Sequence, residues 1–296
     1  MDRSRITVAE FEKILPKICD RKTSYDPDRW TPENPLWAHC AIVAVLAHLY
    51  FGGDVMYASI VNTPDLPANM RHYWNILPSG IAKDFTDKQF EHRSVFFEKS
   101  KIITGNLCYL RIKESIRVRT LAARIIRERF GANALFNDTI YQRCAVAALE
   151  STCQKLQFGC VIAYGGKKLG TIPATYNKTI EPLRHLCEPM CCRLAIQSRT
   201  EQMLGACGHA EEWALDEIQK RGASPEQCTL YIAGFYPDGR PYIKTAPEHT
   251  CLRCSLQMYR TGIGRIAVPV VDRWEYLTGA EAVKTAARYA TGQARA

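Results

Sequence analysis

No stretch of these 296 residues comes near the ~20 consecutive apolar residues a helix needs to cross a bilayer. The opening residues, MDRSRITVAEFEKIL, mix acidic with basic side chains and lack the apolar core of a secretory signal. Acidic residues are in the minority, 30 Asp and Glu against 39 Lys and Arg, for a net charge of +9. These absences point away from the membrane and toward the cytoplasm. In that reducing setting the 13 cysteines, many and odd in number, read as thiols and metal ligands rather than disulfides. What is present is ordinary for a globular chain, 47% hydrophobic and 23% charged. The length suffices for two domains, expected at 1–131 and 132–296.

The charge is uneven. Residues 1–105 hold 13 basic and 13 acidic residues, so the whole excess lies beyond them. Part of it sits in Arg111–Gly131, RIKESIRVRTLAARIIRERFG. Basic clusters attract phosphate, whether nucleotide or nucleic acid. The Ile116/Leu121/Ile125 stripe makes the same segment an amphipathic helix between two domains, and that reading is the stronger.

Two separated stretches carry the sharpest chemistry. The first is Gly208-His209-Ala210-Glu211-Glu212. The second is Pro247-Glu248-His249-Thr250-Cys251-Leu252-Arg253-Cys254. His209, Cys251 and Cys254 give one imidazole and two thiolates, a donor set suited to Zn²⁺ with a fourth position left for water. Glu211 is not needed as a ligand and is placed to carry a proton. With 13 cysteines a chance Cys-x-x-Cys is unremarkable. The context raises its weight. Residues 210–220 read as a helix stopped by Gly222, 229–233 as a buried strand, 251–261 as a second helix and 266–271 as another strand. Two helix N-termini facing one ion favour thiolates. A closed structural zinc site is the rival reading.

Earlier in the chain, Cys40 heads the apolar helix AIVAVLAHLY, which Gly52-Gly53 ends. A thiol at a helix N-terminus is a candidate nucleophile. Residues 71–77 and 81–86 read as a hairpin folded at Ser79, which brings His72 across from Asp84. Cys40, His72 and Asp84 then form a candidate nucleophile, base and orienting carboxylate. The rival is a scaffold domain with a buried cysteine.

Asn34-Pro35, His39-Cys40, Phe51-Gly52-Gly53, His72-Tyr73-Trp74-Asn75, Asp84-Phe85-Thr86 and Gln89-Phe90 resemble the YunG-like family over about residues 10–130. The resemblance implies an α+β, papain/transglutaminase-like N-terminal domain. Ala38 stands where that family usually has Gly. A thiol amidase, peptidase or transferase is the activity class this site would serve.

The His-x-Glu and Cys-x-x-Cys, within helix, hairpin, helix, strand, helix, strand, helix, resemble the cytidine/deoxycytidylate deaminase superfamily over about residues 135–290. The resemblance implies an α/β/α three-layer cytidine deaminase-like domain that deaminates a cytosine-type base of a nucleoside or nucleotide. A base in single-stranded DNA or tRNA is the alternative. Asn177, after a return strand ending at Tyr176, and Ala210, beside His209, are the candidate substrate contacts. A homo-oligomer is expected, because relatives often assemble. Two departures stand where substrate is normally set: Thr250 replaces the usual Pro before the first cysteine, and Tyr236–Pro241 is inserted. His185, Cys187, Cys191 and Cys207 permit a second zinc, with unconnected thiols the stronger reading.

Overall fold

The computed structural model describes residues 6–61, 63, 66, 70–90, 95–165, 174–183, 207–247 and 250–291, with only the backbone of 289–291. Two compact units divide the chain, Met1–Arg129 and Phe130–Ala296. Both mix helices with a sheet. Among the described residues no helix is long and apolar enough to cross a membrane.

In the first unit α1 (Val8–Ile18) starts at Thr7, whose hydroxyl accepts the Glu10 N–H. α2 (Cys40–Phe51) is apolar all round, with nine of its twelve residues buried, and so lies at the centre of the core. It packs on an antiparallel sheet in the order β3 (Ala82–Lys83), β2 (Arg71–Ile76), β1 (Asp54–Val61), β4 (Phe96–Phe97), with β5 (Lys101–Ile102) also on β1. The expected hairpin is present: β2 and β3 pair through Asn75↔Lys83 and Ile76↔Ala82. The sequence reading passed over β1, the strand that joins the others.

Helices α3 (Leu107–Lys113) and α4 (Ile116–Phe130) follow. α4 contains most of the basic run, and three of its arginines are used locally. Arg124 donates to Asp20 at 2.8 Å, Arg129 donates to Glu10 at 2.8 Å, and the Arg117 guanidinium sits 4.5 Å above the Tyr25 ring. Those pairings, with Val118, Leu121, Ile125 and Ile126 buried, are those of an amphipathic helix.

In the second unit α5 (Thr139–Leu149) is capped by Asp138, which accepts from the N–H groups of Ile140 and Tyr141. It stops at Leu149, as the Ser151 hydroxyl turns to the chain beyond it. The sheet runs β13 (Arg273–Leu277), β12 (Arg265–Val270), β10 (Cys228–Phe235), β6 (Gln157–Tyr164), β7 (Thr175–Tyr176), with β11 (Pro241–Tyr242) on the end of β10. β10 and β12 are parallel and the other pairs antiparallel. The inserted Tyr236–Pro241 forms a hairpin turning at Asp238-Gly239. β12 was expected to be the last strand, but β13 follows through a turn where Val271 has φ 56°. A small ladder pairs β8 (Lys178–Thr179) with β9 (Cys207–Gly208).

Side-chain alternation on these strands puts α5 on one face. On the other, Cys160, Ile162, Leu230, Ile232, Ile266 and Val268 meet α6 (Ala210–Lys220), α7 (Leu252–Thr261) and α8 (Gly279–Thr291) in one buried cluster. α6 and α7 are thereby held side by side with β10 between them in sequence.

Candidate metal centre and thiol site

His209 is the residue before α6, so its backbone is extended and its N–H has no partner inside the helix. The Glu212 carboxylate accepts that N–H at 2.7 Å. It also accepts from Arg253 at 2.7 Å, and Arg253 stands between the two cysteines. One carboxylate thus ties the starts of α6 and α7 together. Sequence reasoning missed Glu212; an acid three residues after a helix cap was the available signal. Cys251 caps α7 rather than lying in its first turn, and its Sγ accepts the Cys254 N–H at 3.4 Å. Thr250, standing where the usual Pro is absent, is buried with its hydroxyl 2.8 Å from that of Ser255. Gly208 leaves room for Trp213: a Cβ there would lie 2.8 Å from the indole nitrogen.

The three expected ligands converge. His209 Nδ1 lies 3.2 Å from Cys254 Sγ and 3.5 Å from Cys251 Sγ, and the three donor atoms all fall within 4.8 Å of one another. Zinc bonded tetrahedrally at about 2.0 Å to nitrogen and about 2.3 Å to sulfur separates those donors by about 3.5 Å. The residues therefore fit the ion. Cys251 is the more acidic of the two thiols, because Cys254 donates to it and His209 adds its pull, while Cys254 is pushed up.

Glu211 is 4% exposed. Burial pushes its carboxyl up to about 7, partly opposed by His209 and reinforced by Cys251. Ala210 is fully buried, and its carbonyl accepts the Thr175 hydroxyl at 2.8 Å.

Asn177, expected to touch substrate, has a different set of partners. Its Oδ1 accepts from Ser151 Oγ at 2.8 Å and from the Phe158 N–H at 2.6 Å, and its Nδ2 donates to the Leu156 carbonyl. The side chain is 3% exposed and braces the entry to β6. Of the second-zinc candidates, His185, Cys187 and Cys191 lie outside the described residues; Cys207 is on β9, 3.7 Å from the Thr179 hydroxyl.

The first unit brings its three expected residues together as well. Asp84 Oδ2 is 2.5 Å from His72 Nε2, and Asp84 Oδ1 accepts from the N–H and hydroxyl of Thr86. Cys40 Sγ lies 4.0 Å from the carbonyl of Arg71, the residue before His72 on β2, near enough to act on that imidazole electrostatically. Ala38 has φ 57°, the left-handed region where glycine is at ease, which explains the usual Gly there. Its N–H is held by Gln89 Oε1 at 3.2 Å, and Gln89 Nε2 lies 3.3 Å from His72 Nδ1. Gln89 has a positioning place that its spacing in the sequence did not reveal.

Burial lowers the basicity of His72, but the bond it donates to Asp84 and the nearby Cys40 sulfur outweigh that and raise its pKa from 6.5 to about 9. A raised folded-state pKa stabilises the fold fully below about pH 6.5, and that contribution disappears as pH rises through about 9. Its ceiling is about 3 kcal/mol. The urea midpoint of the first unit should therefore fall between pH 6.5 and 9.5, and Asp84→Asn should flatten most of that slope. An unchanged slope in the variant would contradict the pairing.

No curated protein and no solved structure was found to match the chain. Residues 7–128, which contain Cys40, His72, Asp84 and Gln89, match the YunG protein family. Residues 136–270, which contain His209, Glu211, Cys251 and Cys254, match another. That second family is the cytidine and deoxycytidylate deaminase zinc-binding region, so along the chain a match to YunG is followed by a match to that region.

Proposed function

We propose that the second unit removes ammonia hydrolytically from a cytosine-type base carried by a nucleoside or nucleotide. The observation that carries this reading is the convergence of His209 Nδ1 and two cysteine sulfurs at 3.2 and 3.5 Å, with a buried glutamate two residues from the histidine. His209, Cys251 and Cys254 hold the ion. When bound, zinc supplies Lewis acidity, which makes water a nucleophile near neutral pH. Glu211 takes one proton from that water at a carboxylate oxygen and gives it to the ring nitrogen, then carries the remaining proton of the hydroxyl added to the ring carbon to the departing amino group. The Glu212–Arg253 pair keeps the two helix starts in register. The Thr175 hydroxyl fixes the peptide beside His209.

A Cys-headed helix against an antiparallel sheet supports a papain/transglutaminase-like reading of the first unit. A cytoplasmic homo-oligomer completes the proposal.

The test is ammonia release from cytosine, adenine and guanine monomers and oligonucleotides, with zinc content measured in parallel. Turnover of cytidine or dCMP by zinc-loaded protein is the expected result. Turnover of oligonucleotides alone, with affinity falling steeply in salt, would move the substrate to nucleic acid. A fully zinc-loaded protein inert on every base would leave a structural metal module.

A further inference from the structure

The deaminase reading makes no use of the sulfur, imidazole and carboxylate assembled in the first unit. We propose that Cys40, His72 and Asp84 form a second, separate active site in which Cys40 is the nucleophile for acyl transfer, cleaving a carboxylic amide with water as the final acceptor.

Geometry distinguishes Cys40 from a core cysteine. Cys19, also buried in this unit, has its thiol pushed up by burial. Cys40 opens α2 and faces an imidazole whose far nitrogen is locked to a carboxylate. Asp84 accepts at Nε2, so Nδ1 is the nitrogen that can take the thiol proton. The carboxylate is itself oriented by two bonds from Thr86. The chain before Cys40 is forced through a left-handed Ala38, a conformation costing about 1–2 kcal/mol in a non-glycine residue. That turn is clamped from one place: Gln89 Oε1 accepts the Ala38 N–H, and Asn34 donates to the Gln89 carbonyl at 2.9 Å. Strain held in place beside a nucleophile is a feature of active sites.

The surroundings suit an apolar acyl group. His72 stacks on Trp74 and Phe97 at 6.0 and 5.6 Å, and Phe90 meets it edge-on at 4.8 Å. Phe97 is 44% exposed on a two-residue strand at the end of the sheet, so aromatic surface reaches solvent next to the imidazole.

The chemistry balances with water alone. The proton shared by Cys40 and His72 Nδ1 rests on the imidazole, and the sulfur bonds the carbonyl carbon. First-turn N–H groups of α2, which lack helical partners, are the donors at hand for the carbonyl oxygen. The C–N bond then breaks, and His72 gives its proton to the departing amine. Water attacks the thioester, His72 takes its proton, the C–S bond breaks, and the proton returns to sulfur. The products are an amine, a carboxylic acid and the free thiol.

The probe is p-nitrophenyl acetate on the full chain, with acetylated peptides mapped by mass spectrometry. Cys40 should be acetylated at least about tenfold faster than the half-buried Cys108. Cys40→Ala should remove the fast p-nitrophenol release. His72→Gln should slow it about 100-fold or more. Asp84→Asn should slow it too, with Asp84→Glu restoring most of the rate, and circular dichroism should show each variant folded. If His72→Gln does not fold, Asp84→Asn serves as the deciding variant. Acetylation of Cys40 no faster than Cys108, or an unchanged rate in the deciding folded variant, overturns the proposal. Ammonia plays no part in this readout, so it stands or falls apart from the deaminase reading.

Discussion

Glu211→Gln should leave the protein folded and zinc-loaded while kcat for ammonia release falls at least about 10³-fold. The amide has the size and shape of the carboxyl it replaces but cannot carry a proton. The ligands are untouched, so metal content is the internal control. Stability should hold or rise slightly. The carboxyl is buried and pushed up to about 7, which means that its ionised form is held at a cost, and an uncharged amide removes that cost. Three readouts separate the possible roles. Lost zinc would make Glu211 a ligand. Lost fold would make it a structural group. Retained turnover with zinc in place would end the proposal that it shuttles the proton.

Side-chain chemistry made the metal centre legible despite the distance between its parts. His209 and Cys251 are 42 residues apart, yet donor type and cap spacing announce themselves locally, and the helix–strand–helix pattern between them is periodic. The hairpin that unites His72 with Asp84 was legible for the same reason: Pro78-Ser79-Gly80 marks the turn, and alternation sets the register. What stayed hidden depends on long-range hydrogen bonds, which leave no period. Glu212 looks like an ordinary first-turn acid until Arg253 arrives beside it. Gln89 carries part of the YunG resemblance, but nothing in its spacing shows that its carboxamide sits between Ala38 and His72. Asn177 is expected at substrate only because the deaminase resemblance places an asparagine after the return strand. Here Ser151, Leu156 and Phe158 take up its amide. β1 carries only partial alternation, and its neighbours β4 and β5 are two residues each, so none of them rises above the loops around it.

A large loss of stability from a single methyl group is expected at Gly159, in the strand that supports this architecture. A Cβ there would lie 1.9 Å from the Cys144 carbonyl oxygen and 2.8 Å from its carbon, both backbone atoms of α5. Neither side can yield cheaply. β6 is fixed across all eight residues to β10 and through Gly159↔Tyr176 to β7, and its other face is packed by Cys160 and Ile162. α5 is anchored by its Asp138 cap, and Cys144 is fully buried. Gly159→Ala should therefore cost about 3 kcal/mol or more. Gly222→Ala is the matched control: it also adds one methyl, and φ is 60°, but nothing lies within 4 Å. Its cost should be about 1–2 kcal/mol, from the left-handed backbone alone. Function should follow the first change and not the second. Cys160 on β6 pairs with Thr175, and the Thr175 hydroxyl holds the Ala210 carbonyl, so a displaced β6 reaches the start of α6 within two bonded contacts. Urea midpoints and zinc retention measured on both variants decide the matter. A Gly159→Ala loss no larger than that of Gly222→Ala would mean that strand and helix have slack between them. The rigid seat argued here for His209 would then not exist.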